Sequence, residues 1–121
     1  MNMRIENAQI TRADLTMEHY GCLTLSLTIE GNGWGIAGFG GYALGKGYVG
    51  ASEFTGSAKG IEEIMRIMDV VGVERFSDLK NKYIRIEVPA YGSGRAYKIG
   101  NIVEDKWFDY REFYKKEKED E

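Results

Sequence analysis

The last third of the chain carries the residues best suited to ligand chemistry. Arg85, Arg95, Lys98 and Arg111 are interleaved with Tyr83, Tyr91, Tyr97, Trp107, Phe108, Tyr110 and Phe113. Guanidinium forks and ammonium groups suit phosphate oxygens. Flat aromatic rings suit stacking against bases. Asn101 offers an amide for a base edge or a ribose hydroxyl. These are the parts of a nucleotide pocket, and on chemistry the candidate ligand-binding set is Arg85, Arg95, Tyr97, Lys98, Asn101, Trp107, Phe108 and Arg111. The same residue types also line ordinary solvated sheet faces, with Trp107 and Phe108 as core, and the pattern fits both.

Catalytic chemistry is poorly supplied. The sequence has one cysteine and one histidine, Cys22 and His19. That excludes the usual zinc clusters and any internal disulfide. Cys22 opens the clearest strand, which predicts a buried, inert thiol. His19 falls in a turn-like Glu18-His19-Tyr20-Gly21. No spacing pairs a nucleophile with a base. Glu62 and Glu63 suit the first turn of a helix, and Glu117 and Glu121 belong to a charged tail. Glu104, Asp105 and Asp109 are the carboxylates near aromatics. The expectation is a binding protein with no catalytic residue, no metal and no cofactor.

Two glycine motifs imitate phosphate loops and fail on context. Gly33 to Gly38 matches G-x-G-x-x-G, but no helix follows, as a dinucleotide fold requires. Gly40 to Gly47 approaches a P-loop, but Gly47 stands where the magnesium-binding hydroxyl belongs. Thr55 to Gly60 precedes a genuine helix, where Ser57 reads as an ordinary N-cap.

The elements that must position these residues read as α+β: an antiparallel β-sheet core with one main α-helix and an aromatic-rich, partly helical C-terminal segment. Residues 3–16 alternate loosely and suggest a strand. In residues 22–30, Leu23, Leu25, Leu27 and Ile29 share one face, a period of two that marks a half-buried strand. Gly31-Asn32-Gly33 turns the chain, and Trp34 to Leu44 reads as the return strand of a β-hairpin. Residues 45–60 read as a long loop, of the kind that is usually functional or mobile. Ile61, Ile64, Met65, Met68 and Val71 then form one helical stripe over 61–71, closed by Gly72. A short helical turn is expected from Ser77, a strand over 83–88 ended by Pro89, a turn at Tyr91-Gly92-Ser93-Gly94, and a partner strand from Arg95 to Val103.

At 121 residues the chain suits one domain, assigned to 1–114, with 115–121 as a frayed charged tail. A net charge of −3 argues against duplex nucleic acid as a partner. No apolar run approaches the length of a membrane span, and the first residues lack a secretory core. A soluble protein of a reducing cytoplasm is the expectation.

Three blocks carry a resemblance: Gly40-Gly41-Tyr42-Ala43-Leu44; Val71-Gly72-Val73-Glu74; and Ile99-Gly100-Asn101-Ile102-Val103-Glu104-Asp105-Lys106-Trp107-Phe108-Asp109. With the intervening Arg85 strand they look like the phage-encoded Thoeris anti-defence proteins of the first type, over roughly residues 3–111. Tyr110 departs from that pattern, where relatives often have proline. The resemblance implies a sponge: a homo-oligomer in the cytoplasm of the infected bacterial host that binds a cyclic ADP-ribose isomer near subunit contacts and does not cleave it. Arg85, Arg95, Lys98 or Arg111 would then meet the pyrophosphate, and Trp107, Phe108 or Tyr97 the adenine. A phage inhibitor acting by direct contact with a host protein, and a phosphodiesterase-like enzyme on the same signal, are the competing readings.

Overall fold

The computed structural model describes residues 3–19, 21–40, 44–90 and 96–119, with side chains at all of them except 19 and 116–119. Among these, eight strands form one curled antiparallel sheet in the order β5-β4-β2-β1-β6-β7-β8, with β3 also on β2. The strands are β1 (Met3–His19), β2 (Cys22–Gly31), β3 (Trp34–Phe39), β4 (Gly45–Lys46), β5 (Thr55–Gly56), β6 (Tyr83–Pro89), β7 (Lys98–Asn101) and β8 (Trp107–Asp109). The helices are α1 (Ala58–Val71) and α2 (Tyr110–Glu119).

β1 is the spine. Its first half, Met3 to Gln9, pairs with β6. Its second half, Gln9 to His19, pairs with β2. The register breaks between Ile10 and Arg12, and such an irregularity bends a strand and increases its twist. The sheet therefore curls around one core. Leu25, Leu27 and Ile29 of β2, Ile84, Ile86 and Val88 of β6, Ile99 and Phe108 fill it. Each is an alternate residue of its strand, so the period of two has the meaning expected of it.

α1 covers that core. Ser57 Oγ accepts from the Gly60 N–H at 3.0 Å, and Gly72, at φ 90°, donates to Met68 O at 2.8 Å. Both caps agree with the sequence reading, although the helix starts three residues earlier than expected, at Ala58.

The buried stripe of α1 differs from the expected one. Its buried residues are Gly60, Glu63, Ile67 and Val70. Ile61 and Met65 are 50% and 59% exposed, while Ile64, Met68 and Val71 are half-buried. The cause lies at Gly60, where a Cβ would stand 2.7 Å from Leu44 Cα. Only glycine allows this closest approach. Turning Gly60 inward carries the positions three, seven and ten residues later inward with it. Glu63 is thus not a first-turn carboxylate beside the helix dipole: it is 0% exposed, and its Oε1 accepts the Tyr114 hydroxyl.

Other expectations need correction. β3 ends at Phe39 and not Leu44; Gly40 turns there at φ 137°, where a Cβ would stand 2.5 Å from Leu25 O. The expected 45–60 loop contains β4 and β5, which pair with each other. The helical turn is a 3-10 turn starting at Phe76. The partner strand of β6 is shorter than Arg95 to Val103 and runs Lys98–Asn101. Trp107–Asp109 is a strand, unanticipated, and α2 continues through the charged stretch to Glu119. Cys22 is half-exposed, not buried, because it lies at the end of β2 beyond the core. Arg95 and the Tyr91–Gly94 turn lie outside the described residues, as do Gly41, Tyr42 and Ala43 of the first resemblance block.

Candidate functional site

Strand register sets two rows across one face of the sheet. Arg85, Gly100 and Trp107 form the first; Glu87, Lys98 and Asp109 form the second. Their chain neighbours Ile84, Ile86, Ile99 and Phe108 point into the core. Alternation therefore gathers cations and an indole on the face away from it.

Gly100 makes the cluster possible. A Cβ there would stand 2.5 Å from Trp107 Cε3, so the indole lies against the bare backbone of β7. Trp107 Nε1 donates to Asp105 Oδ1 at 2.9 Å, which orients the ring. The Arg85 guanidinium carbon lies 4.6 Å from the Trp107 ring centre and Lys98 Nζ 5.1 Å, both within cation–π range. Arg85 is also anchored, with Nε donating to Asn101 O at 2.7 Å and Nη2 to Glu104 O at 2.8 Å. Lys98 is half-buried and is the more adaptable of the two charges.

Asn101 is engaged by the fold. Its Nδ2 donates to Val70 O, near the end of α1, at 2.8 Å. Its Oδ1 accepts from the N–H groups of Val103 and Glu104 at 2.9 and 2.8 Å. One side chain therefore ties the β7–β8 connection to the helix, and that connection carries the carbonyl that holds Arg85.

Tyr97 and Arg111 form a separate pair, with the Arg111 guanidinium carbon 4.4 Å from the Tyr97 ring centre. The Tyr110 N–H donates to Tyr97 O at 2.8 Å, which joins the start of α2 to the residue before β7. Asp109 Oδ1 accepts from the N–H groups of Arg111 and Glu112 at 2.9 and 3.2 Å, as an N-cap does. Phe108 is core, with its ring 5.4 Å from that of Phe113.

An open cleft of about 350 Å³ lies between α1 and the β8–α2 corner. Trp107, Phe108, Phe113, Lys59 and Arg66 line it. Lys59 Nζ lies 4.1 Å from the Phe113 ring centre, and Arg66 pairs with Glu62 at 2.6 Å. Sequence reasoning missed Lys59 and Arg66. Their seven-residue spacing on one helix was the available signal, because it places both on one face. Among the described residues no three His, Cys, Asp or Glu side chains gather as metal ligands, and no helix is long and apolar enough to cross a membrane.

Of the candidate set, then, the structure brings Arg85, Lys98 and Trp107 together. It places Tyr97 and Arg111 in a second pair, uses Asn101 as a tie, and puts Phe108 in the core. Fold and site define a small α+β domain with a cation-flanked indole on its sheet. No protein-family model, no curated protein and no solved structure matches the chain.

Proposed function

We propose that this protein sequesters a cyclic ADP-ribose-type signal nucleotide without cleaving it, as a phage counter-defence sponge. In this reading it works as a homo-oligomer in the cytoplasm of the infected bacterium and keeps the Thoeris effector inactive. The observation that carries the reading is the Trp107 indole seated on Gly100 beside Arg85 and Lys98. An aromatic face next to two cations offers base stacking and phosphate neutralisation within one small area. The resemblance of the 99–109 segment to the sponge family names the ligand class. A sponge acts by mass action, and nanomolar affinity corresponds to about −12 kcal/mol.

The test is to mix the protein with a panel of cyclic nucleotides, denature it, and analyse what is released. Intact cyclic ADP-ribose isomer is the expected result. A new product would make the protein an enzyme, and no retained nucleotide would refute the reading. Lys98→Ala is expected to weaken binding at least tenfold by calorimetry with an unchanged melting temperature. Arg111→Ala reads whether the Tyr97 pair belongs to the same pocket, since unchanged affinity would remove it.

Direct inhibition of a host protein is favoured by a different observation. Tyr48, Val49 and Phe54 are exposed in the connection between β4 and β5, and exposed apolar clusters mark interaction surfaces. Co-purification of a host protein without any bound nucleotide would select that reading.

A further inference from the structure

The ladder between β1 and β2 sets a second group of polar side chains apart from the Trp107 cluster. Asp14 stands opposite Ser26, and Thr16 opposite Thr24. Leu25 and Leu27 of β2 are core, so by alternation Thr24 and Ser26 lie on the other face. Thr24 is nevertheless only 6% exposed, so this part of the outer face is recessed. Beyond β3, the Gly40 backbone comes so close to β2 that a Cβ would stand 2.5 Å from Leu25 O. Gly38 and Gly40, at φ 86° and 137°, bend the chain there and form one wall of a cavity of about 210 Å³. Asp14, Thr16, Thr24 and Ser26 form the other.

We propose that this cavity binds the vicinal hydroxyls of a small sugar ring. Its volume falls below the roughly 300–1,000 Å³ of pockets for drug-sized ligands, so the occupant is small. Its polar lining is mixed. Thr16 and Ser26 are half-buried, and their hydroxyls have no hydrogen-bond partner among the described residues. Thr24 Oγ1 donates to Cys22 O at 3.3 Å and keeps its acceptor capacity. Asp14 Oδ2 pairs with Arg12 Nε at 2.6 Å, which leaves Oδ1 without a partner among the described residues. Glu18, past the second register irregularity of β1, also lines the cavity. A sugar hydroxyl both donates and accepts. Adjacent hydroxyls donate to the Asp14 carboxylate, in bonds of the stronger charge-assisted kind, and accept from Ser26 and Thr16.

Other ligand classes fit this lining less well. Among the described residues it holds no aromatic ring, so nothing in it stacks a base. Phosphate is disfavoured, because two carboxylates accompany one guanidinium that is already paired. A cationic amine meets the Arg12 charge and has no use for hydroxyl donors. A free saccharide and the ribose of a nucleoside present the same diol. Gly38 and Gly40 also line a second cavity, of about 170 Å³, together with Tyr97 and Tyr110. A base attached to the ribose would stack there. The inference does not rest on the Trp107 cluster, since Arg85, Lys98 and Trp107 line neither cavity.

The test is saturation-transfer NMR on the full chain with methyl β-ribofuranoside, its 2-deoxy counterpart, adenosine and putrescine as probes. Transfer to the riboside is expected, with little to the 2-deoxy sugar. Asp14→Asn and Ser26→Ala are each expected to weaken riboside binding about fivefold, the cost of one hydrogen bond. Circular dichroism checks that both variants fold, and Thr16→Val, close in shape to the wild type, gives a third reading of the same wall. Adenosine that competes with the riboside assigns the cavity to a nucleoside, and adenosine that does not compete assigns it to a free saccharide. The diol reading holds in both cases. No transfer to the riboside would overturn the proposal, and so would equal transfer to the 2-deoxy sugar or folded variants that bind like the wild type. Putrescine bound in place of the riboside would overturn it too and make this a cation site.

Discussion

Gly100 has no side chain, and Trp107 occupies the space that one would fill. This single contact sets the height of the indole above the sheet and its distance from Arg85 and Lys98. Gly100→Ala forces the ring to move, and overpacking of this kind costs about 1–3 kcal/mol. Urea denaturation is expected to show that loss, together with a shift in tryptophan emission as the Trp107 ring leaves its seat. The types of Arg85, Lys98 and Trp107 were legible as ligand chemistry. The role of Gly100 was not, because it depends on which residue of β8 lies opposite. Asn101 was legible as a polar group of note, but its three bonds go to backbone partners, one of them on α1. Nothing local in the sequence marks that helix as its neighbour.

Between elements, β1 is held to the β2–β3 hairpin by a side-chain contact as well as the ladder. Trp34 Nε1 donates to Glu6 Oε1 at 3.0 Å, and Arg4 bonds the same carboxylate. The Trp34 hydrogen bond, followed by that of Arg4, holds the Glu6 carboxyl below the usual glutamate range. A carboxyl depressed in the folded state binds its proton more readily when unfolded. Its stabilisation is therefore complete above the unfolded pKa and is lost as pH falls through the lower, folded one. Glu6→Gln is expected to melt below the wild type at neutral pH, with the gap closing in the acid range; a gap constant from neutral to acid pH would contradict the assignment.

The same scale explains the altered stripe of α1. Helix periodicity was legible in the apolar spacing, and so were Ser57 and Gly72 as caps. Rotation of the helix was not, because it is set by the meeting of Gly60 with Leu44. That meeting leaves Ile61 and Met65 outside and takes Glu63 inside, against the hydrophobic ranking of the three.

At the scale of the whole molecule, a curled sheet is built on one long strand, and among the described residues the second half of that strand pairs with β2 alone. In the homo-oligomer of the proposed function, association and folding are linked, and stability depends on protein concentration. The melting temperature of the wild type is expected to rise with concentration over a hundredfold range. A differential scanning measurement at each concentration checks it, and a melting temperature that does not move would count against the homo-oligomer.

The sequence by itself determined the α+β class, the β1–β2 and β6 strands, the main helix with both caps, and the absence of context for either phosphate-loop motif. Each of these rests on local periodicity or on a backbone requirement that neighbouring residues express. Only the tertiary structure decided the eight-strand order, the strand at Trp107–Asp109, the division of the candidate residues into a cluster, a pair, a tie and a core ring, and the split of β1 between two partner strands. Those depend on register between segments far apart in the chain. A shift of one residue in any of those pairings would turn every side chain of the strand to the other face.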